Sequence, residues 1–180
     1  MLLAWALVLA LSAQTPVAIP RFEDYPVTEI FKGTLTAPIL ATPEERQYRS
    51  RIREGVSKGQ GVWNGSWKDA KEKPGSNFAG HYVVIRWGCG SNCLMMAVVD
   101  AESGKVYPPP TSGVGTELYV AIDPMSDGEI DFRLDSSWMI VRNVCRDART
   151  EFGVYYFNWK EANFSLVKRV LVDLTKVGRE

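Results

Sequence analysis

The sequence predicts a mainly β protein, an antiparallel meander of about eight strands forming a barrel or sandwich, with one short N-terminal helix. Three observations predict it. From Gly80 the pattern alternates, with His81, Val83, Ile85 and Trp87 on one side of an extended chain and Tyr82, Val84 and Arg86 on the other. Short apolar runs then recur to the end of the chain, separated by turn-forming residues at hairpin spacing. The one clear helix signal is confined to residues 42–54.

Residues 1–13 read as a cleavable export segment. Met1 to Leu11 is unbroken and apolar, and Ser12-Ala13-Gln14 supplies the small residues a signal peptidase needs. A run of that length falls short of the roughly 20 residues a bilayer-spanning helix requires. The segment lacks the usual basic start, since the first charged residue is Arg21. Either residues upstream or an atypical signal would account for that. No cysteine follows the run, which argues against a lipid-anchored form. The chain is therefore expected to be secreted or periplasmic, with no stable membrane span after processing.

Residues 14–42 are Pro-rich and poorly periodic, and are expected to form an extended lead-in that wraps the domain, with a short strand near 28–32. Residues 43–180 are expected to make a single β-rich domain. Thr42-Pro43-Glu44-Glu45 combines an N-cap threonine, proline at the first helical position and a glutamate three residues after the cap. The helix should run from Pro43 to about Glu54 and stop near Gly55, Gly59 and Gly61, burying a thin stripe of Tyr48, Ile52 and Val56. Strands follow at 81–87, 94–100 and 105–107, the last ended by Pro108-Pro109-Pro110. Further strands are expected at 117–122, 130–134, 138–144, 153–159 and 164–174.

The 21 basic and 21 acidic residues cancel, giving a formal charge of zero. That balance gives no argument for nucleic acid as a partner, and a protein or a small ligand is expected instead. The oligomeric state is not readable from the sequence. No cofactor is predicted, because dinucleotide, phosphate-loop and paired-histidine signatures are all missing, as is a nucleophile elbow.

The best-defined local feature is Trp87-Gly88-Cys89-Gly90-Ser91-Asn92-Cys93. Two cysteines four apart at a hairpin tip can reach disulfide distance, and a bond so short in sequence would serve to fix the loop shape. The alternative is a bond from one of them to Cys145 across strands. With three cysteines, one thiol is left over. A zinc set of Cys89, Cys93, Cys145 and the single histidine, His81, lacks the second close pair that zinc knuckles use. No residue is assigned a catalytic role. His81 is the one candidate base, acting with a cysteine or a carboxylate, against the bland reading of a packed histidine. Tyr82, Trp87, Ser91 and Asn92 are the expected binding residues around the loop.

The acidic stretch from Asp123 to Asp131 fails the EF-hand pattern, because Met125 and Leu134 fall on ligand positions. Asp123, Asp127, Glu129 and Asp131 remain candidates for a generic cation site, against a solvated turn. Arg46, Arg49 and Arg53 share one side of the helix but are diluted by neighbouring glutamates, an ordinary solvated face. Asn64-Gly65-Ser66 and Asn163-Phe164-Ser165 are glycosylation sequons, meaningful only in a cell with that machinery.

The strings Asn77-Phe78-Ala79-Gly80-His81-Tyr82, Trp87-Gly88-Cys89-Gly90-Ser91-Asn92-Cys93, Val99 to Tyr107 and Tyr155 to Lys160 resemble a set of small bacterial exported proteins of unknown function. Their mark is a Phe-Ala-Gly-x-Tyr strand followed by a Trp-Gly-Cys-Gly-x-x-Cys hairpin. The resemblance covers roughly residues 77–107 and 130–168 and implies export, without an activity or a functional residue. The reading is thus a non-enzymatic binding or interaction module. The alternatives are a small secreted enzyme using His81, and an inhibitor or immunity-type partner of a secreted enzyme. Thiol counting on the processed protein discriminates: one free thiol per chain supports the disulfide, and three free thiols with bound metal support the zinc set.

Overall fold

The computed structural model describes residues 18–58, 75–90, 93–110, 119–120, 130–145 and 152–171. Helices α1 (Pro43–Gln47) and α2 (Arg49–Lys58) precede strands β1 (Tyr82–Gly90), β2 (Cys93–Asp100), β3 (Val106–Tyr107), β4 (Tyr119–Val120), β5 (Ile130–Phe132), β6 (Trp138–Cys145), β7 (Phe152–Lys160) and β8 (Asn163–Leu171). The expected helix forms in two pieces. Its start is as read, with the Thr42 hydroxyl accepting from the Glu45 amide and the Glu45 carboxylate accepting from the Thr42 amide. It breaks at Tyr48, and α2 then runs past Gly55 to Lys58. Gly55 is buried, so the helix tolerates it where its side is packed.

Two antiparallel sheets result, one holding β1, β2, β3 and β4, the other ordered β5-β6-β7-β8. β3 and β4 both pair with β2, at Val98–Val99 and Leu94–Met95, end to end along its edge away from β1. The sheets are therefore three and four strands wide, seven across, where about eight are expected from the sequence. Among the described residues there is no closed barrel. The short strand expected at residues 28–32 does not form either; that stretch is irregular.

The β1–β2 hairpin lies between two covers. Tyr82, Val84, Leu94, Met96 and Val98 face the second sheet and share one buried cluster with Ile130, Met139, Val141, Tyr155, Phe157 and Trp159. Val83, Ile85, Trp87, Met95, Ala97 and Val99 face the other way, against Ile52 and Val56 of α2 and the half-buried Tyr48, Phe31, Leu35 and Leu40. The helix stripe predicted at four-residue spacing is the one that packs. A third, smaller cluster of Trp138, Ile140 and Tyr156 lies on the second sheet's outer face under Phe22 and Tyr25.

Residues 18–41 form a strap around this body. Tyr25 stacks on Trp138 with ring centroids 4.3 Å apart. The strap then crosses to the opposite cover, where the Phe31 amide donates to the Gly80 carbonyl at 2.9 Å and the Ile39 amide to the Gly104 carbonyl at 2.8 Å. Gly80 and Gly104 have φ of 82° and 76°. A Cβ at either would fall against a strap carbonyl, Glu29 at one and Ala37 at the other. Glycine is required there twice over, by dihedral and by space. At the far end Arg133 clasps the strap, bonding Glu23 and Asp135, each at 2.6 Å, and lying over the Phe22 ring.

Met96 is wholly buried between the sheets. Met96→Ala should lower the unfolding free energy by about 2–5 kcal/mol, read as a drop in the urea midpoint at unchanged slope.

Candidate functional site

Of the residues singled out by the sequence, His81 is placed most informatively. It stands immediately before β1 at the open end of the hairpin, and its ring packs on Tyr82 at 4.1 Å between centroids. Its Nε2 lies 3.9 Å from Oδ2 of Asp100, the residue paired with Tyr82 across the ladder. Oδ1 of Asp100 is already occupied, accepting from the amides of Glu102 at 2.8 Å and Ser103 at 3.0 Å, which shapes the turn into β3. His81 is half exposed and Asp100 largely covered. The two side chains face each other across a gap wider than a hydrogen bond.

Tyr82, Tyr107 and Trp159 close the inner side of this corner. Their rings meet nearly at right angles, with centroids 4.9–6.2 Å apart. Rings that close fill the space among themselves and leave no slot for a ligand between them. Burial raises both phenol pKa values above the ordinary tyrosine range. The Asp100 charge adds to that rise in each, and the indole of Trp159 opposes it at Tyr82. Lys105 lies over the Tyr107 ring at 5.0 Å, so this chain's own ammonium already takes that face.

No protein-family model, curated protein or solved structure matches the chain. The local geometry must carry the reading.

The register separates His81 from the cysteines. Cys89 is the extra residue of a bulge between the pairs Gly88–Leu94 and Gly90–Cys93, at the other end of β1. At about 3.3 Å per residue the two ends lie roughly 25 Å apart, so the pairing of His81 with Cys89 or Cys93 is set aside. Among the described residues the carboxylate beside it is Asp100. The side chains of Cys89, Cys93 and Cys145 lie outside the described residues, as do Ser91 and Asn92. The backbone places Cys145 on β6, in the other sheet from Cys89 and Cys93.

Tyr82 and Trp87 do not form one contact surface with the loop, as the sequence reading had it. Both are buried, and they face opposite covers of the first sheet because their positions differ by an odd number along the strand. The Trp87 indole N–H reaches neither solvent nor a partner. Asp123, Asp127 and Glu129 lie outside the described residues. Asp131 is on β5, where its Oδ2 accepts from Arg142 Nη2 at 2.6 Å and Nε at 3.1 Å, which makes it half of an ion pair rather than a free ligand. Among the described residues no three acidic, histidine or cysteine side chains gather where they could hold a metal ion. Nor is any described helix long and apolar enough to cross a membrane.

β8, expected at 164–174, forms at Asn163–Leu171, and what the sequence does not reveal is its exposed apolar surface. Among the described residues it is an edge of the second sheet, nine residues long, and Leu166, Val167, Val170 and Leu171 are all 40–47% exposed. Lys168 and Arg169 lie between the two apolar pairs, and Val167 is the extra residue of a bulge between the pairs Phe157–Leu166 and Tyr156–Lys168.

In phenolate titration followed by ultraviolet absorbance, Tyr82 and Tyr107 should ionise after the ordinary tyrosines. Asp100→Asn should bring them down only partway, since burial is the larger cause. Because these folded-state values are raised, the associated stability is fully present below the ordinary tyrosine range. It is lost as pH rises through the folded values.

Proposed function

We propose that the chain is an exported, secreted or periplasmic interaction module without catalytic activity, and that it engages a protein partner through β8. The observation that carries this reading is β8, an exposed edge strand nine residues long on which Leu166, Val167, Val170 and Leu171 flank Lys168 and Arg169. An edge strand offers a row of backbone donors and acceptors. Natural sheets blunt such edges with charge and bulges; β8 has both, in Lys168 and in the extra residue Val167, and still leaves four apolar side chains exposed. Four large apolar side chains close together on one strand are more than the scatter of a normal surface needs. The exported character rests on the apolar segment at residues 1–13 and on the resemblance to small exported proteins. A partner that adds a strand also accommodates the inhibitor or immunity-type reading, in which that partner is a secreted enzyme.

One observation favours the enzymatic alternative. His81 beside Asp100 is a half-exposed imidazole with a carboxylate at 3.9 Å, the arrangement of a base with its orienting group. Against it stands the double use of Asp100 Oδ1 in a turn.

The full chain, immobilised and exposed to the extracellular fraction of the cells that make it, should retain a protein. A Val167→Lys, Val170→Lys variant with an unchanged circular dichroism spectrum should lose that protein at least about tenfold, an exposed edge being where substitution costs little stability. Equal retention by the variant would reject β8 as the contact strand. Retention that falls instead on His81→Gln, together with turnover of a bound molecule, would favour the enzyme.

A further inference from the structure

We infer that the strap, residues 18–41, opens as one unit ahead of global unfolding and uncovers the Trp138–Ile140–Tyr156 face of the second sheet. This goes beyond the contact-strand reading and stands without it.

The strap is attached unlike any other part of the fold. None of its residues is fully buried, and its side chains reach all three apolar clusters only as half-buried outliers: Phe22 and Tyr25, Val27, then Phe31, Leu35 and Leu40. It joins no strand ladder. Its backbone bonds to the body are spaced out along the chain, through the Val27 amide to Asp135, Phe31 to Gly80, Thr36 to Ala101 and Ile39 to Gly104, with the Ser137 amide donating back to Tyr25.

Each of those bonds lands on a turn or connection of the body rather than on a strand. Asp135 and Ser137 belong to the β5–β6 connection, Gly80 to the turn before β1, and Ala101 and Gly104 to the turn between β2 and β3. Lifting the strap therefore breaks no ladder hydrogen bond; besides these backbone bonds it gives up side-chain bonds, among them those of the Ser136 hydroxyl to the Phe22 and Tyr25 carbonyls and of Lys168 to the Ala18 carbonyl. Segments with few buried apolar contacts and exposed hydrogen bonds open at lower free energy than the core. The two glycine notches fix where the strap returns, since no side chain stands in them. The Arg133 clasp is exposed on every member, which makes it a weak latch.

Opening exposes Trp138, now wholly buried and stacked under Tyr25, together with Tyr156 and Ile140. α2 stays in place when Phe31, Leu35 and Leu40 leave, because Ile52 and Val56 also pack with Val83, Ile85, Ala97 and Val99 of the hairpin.

Hydrogen exchange of the full chain over a series of low denaturant concentrations tests this. The amides of Val27, Phe31, Thr36 and Ile39 should share one opening constant, at least about tenfold larger than that of the β2 and β6 amides, and one denaturant dependence, smaller than that of the β2 and β6 amides but above zero. Met96→Ala, which loosens the core that stays folded when the strap opens, should raise the β2 and β6 constants by about tenfold or more and leave the strap constant unchanged. If strap and strand amides exchange with the same constant throughout, or rise together in Met96→Ala, the strap is not a separate unit and the inference fails. Should Met96→Ala not fold, Met139→Ala, wholly buried in the same cluster, is read in the same way.

Discussion

Every residue of β2 from Leu94 to Val99 is buried, and its partner β1 is apolar on both faces at Val83, Val84 and Ile85. A ribbon of that kind has to be covered twice, because each face left in water would forfeit roughly 25 cal/mol for every Å² of apolar surface. The rest of the molecule follows from that requirement. The second sheet covers one face, and α2 with the later half of the strap covers the other. The second sheet then has an outer face of its own, and the first half of the strap covers part of it.

The same requirement explains why the polar chemistry is sparse and peripheral. Along a hairpin buried on both sides Arg86 is half-buried, donating to the Ile130 carbonyl and lying over the Phe132 ring, while His81, Asp100 and Lys105 gather at the open end. There Asp100 organises the turn and Lys105 covers an aromatic ring. The acidic and basic residues elsewhere pair with each other, as Asp131 does with Arg142 and Arg133 with Glu23 and Asp135. Among the described residues the distinctive surface is apolar rather than ionic, and it lies on β8 at an edge of the second sheet.

The sequence by itself determined the β-rich class, most strand positions, the capped start of the helix and the stripe Tyr48, Ile52 and Val56. These are local quantities: alternation of period two, capping chemistry and four-residue spacing each act within a few residues. The tertiary structure decided what depends on which surfaces meet. It broke the helix at Tyr48, put β3 and β4 on one edge of β2, and turned Tyr82 and Trp87 from expected contact residues into core. It also placed His81 roughly 25 Å from the cysteines it was set beside, because a strand carries its two ends apart at about 3.3 Å per residue. Whether an apolar strand such as β8 is buried or left at an edge is likewise outside the reach of its own residues. Leu166, Val167, Val170 and Leu171 are apolar wherever the strand lies, and the strand order, with β8 at an edge, leaves them exposed.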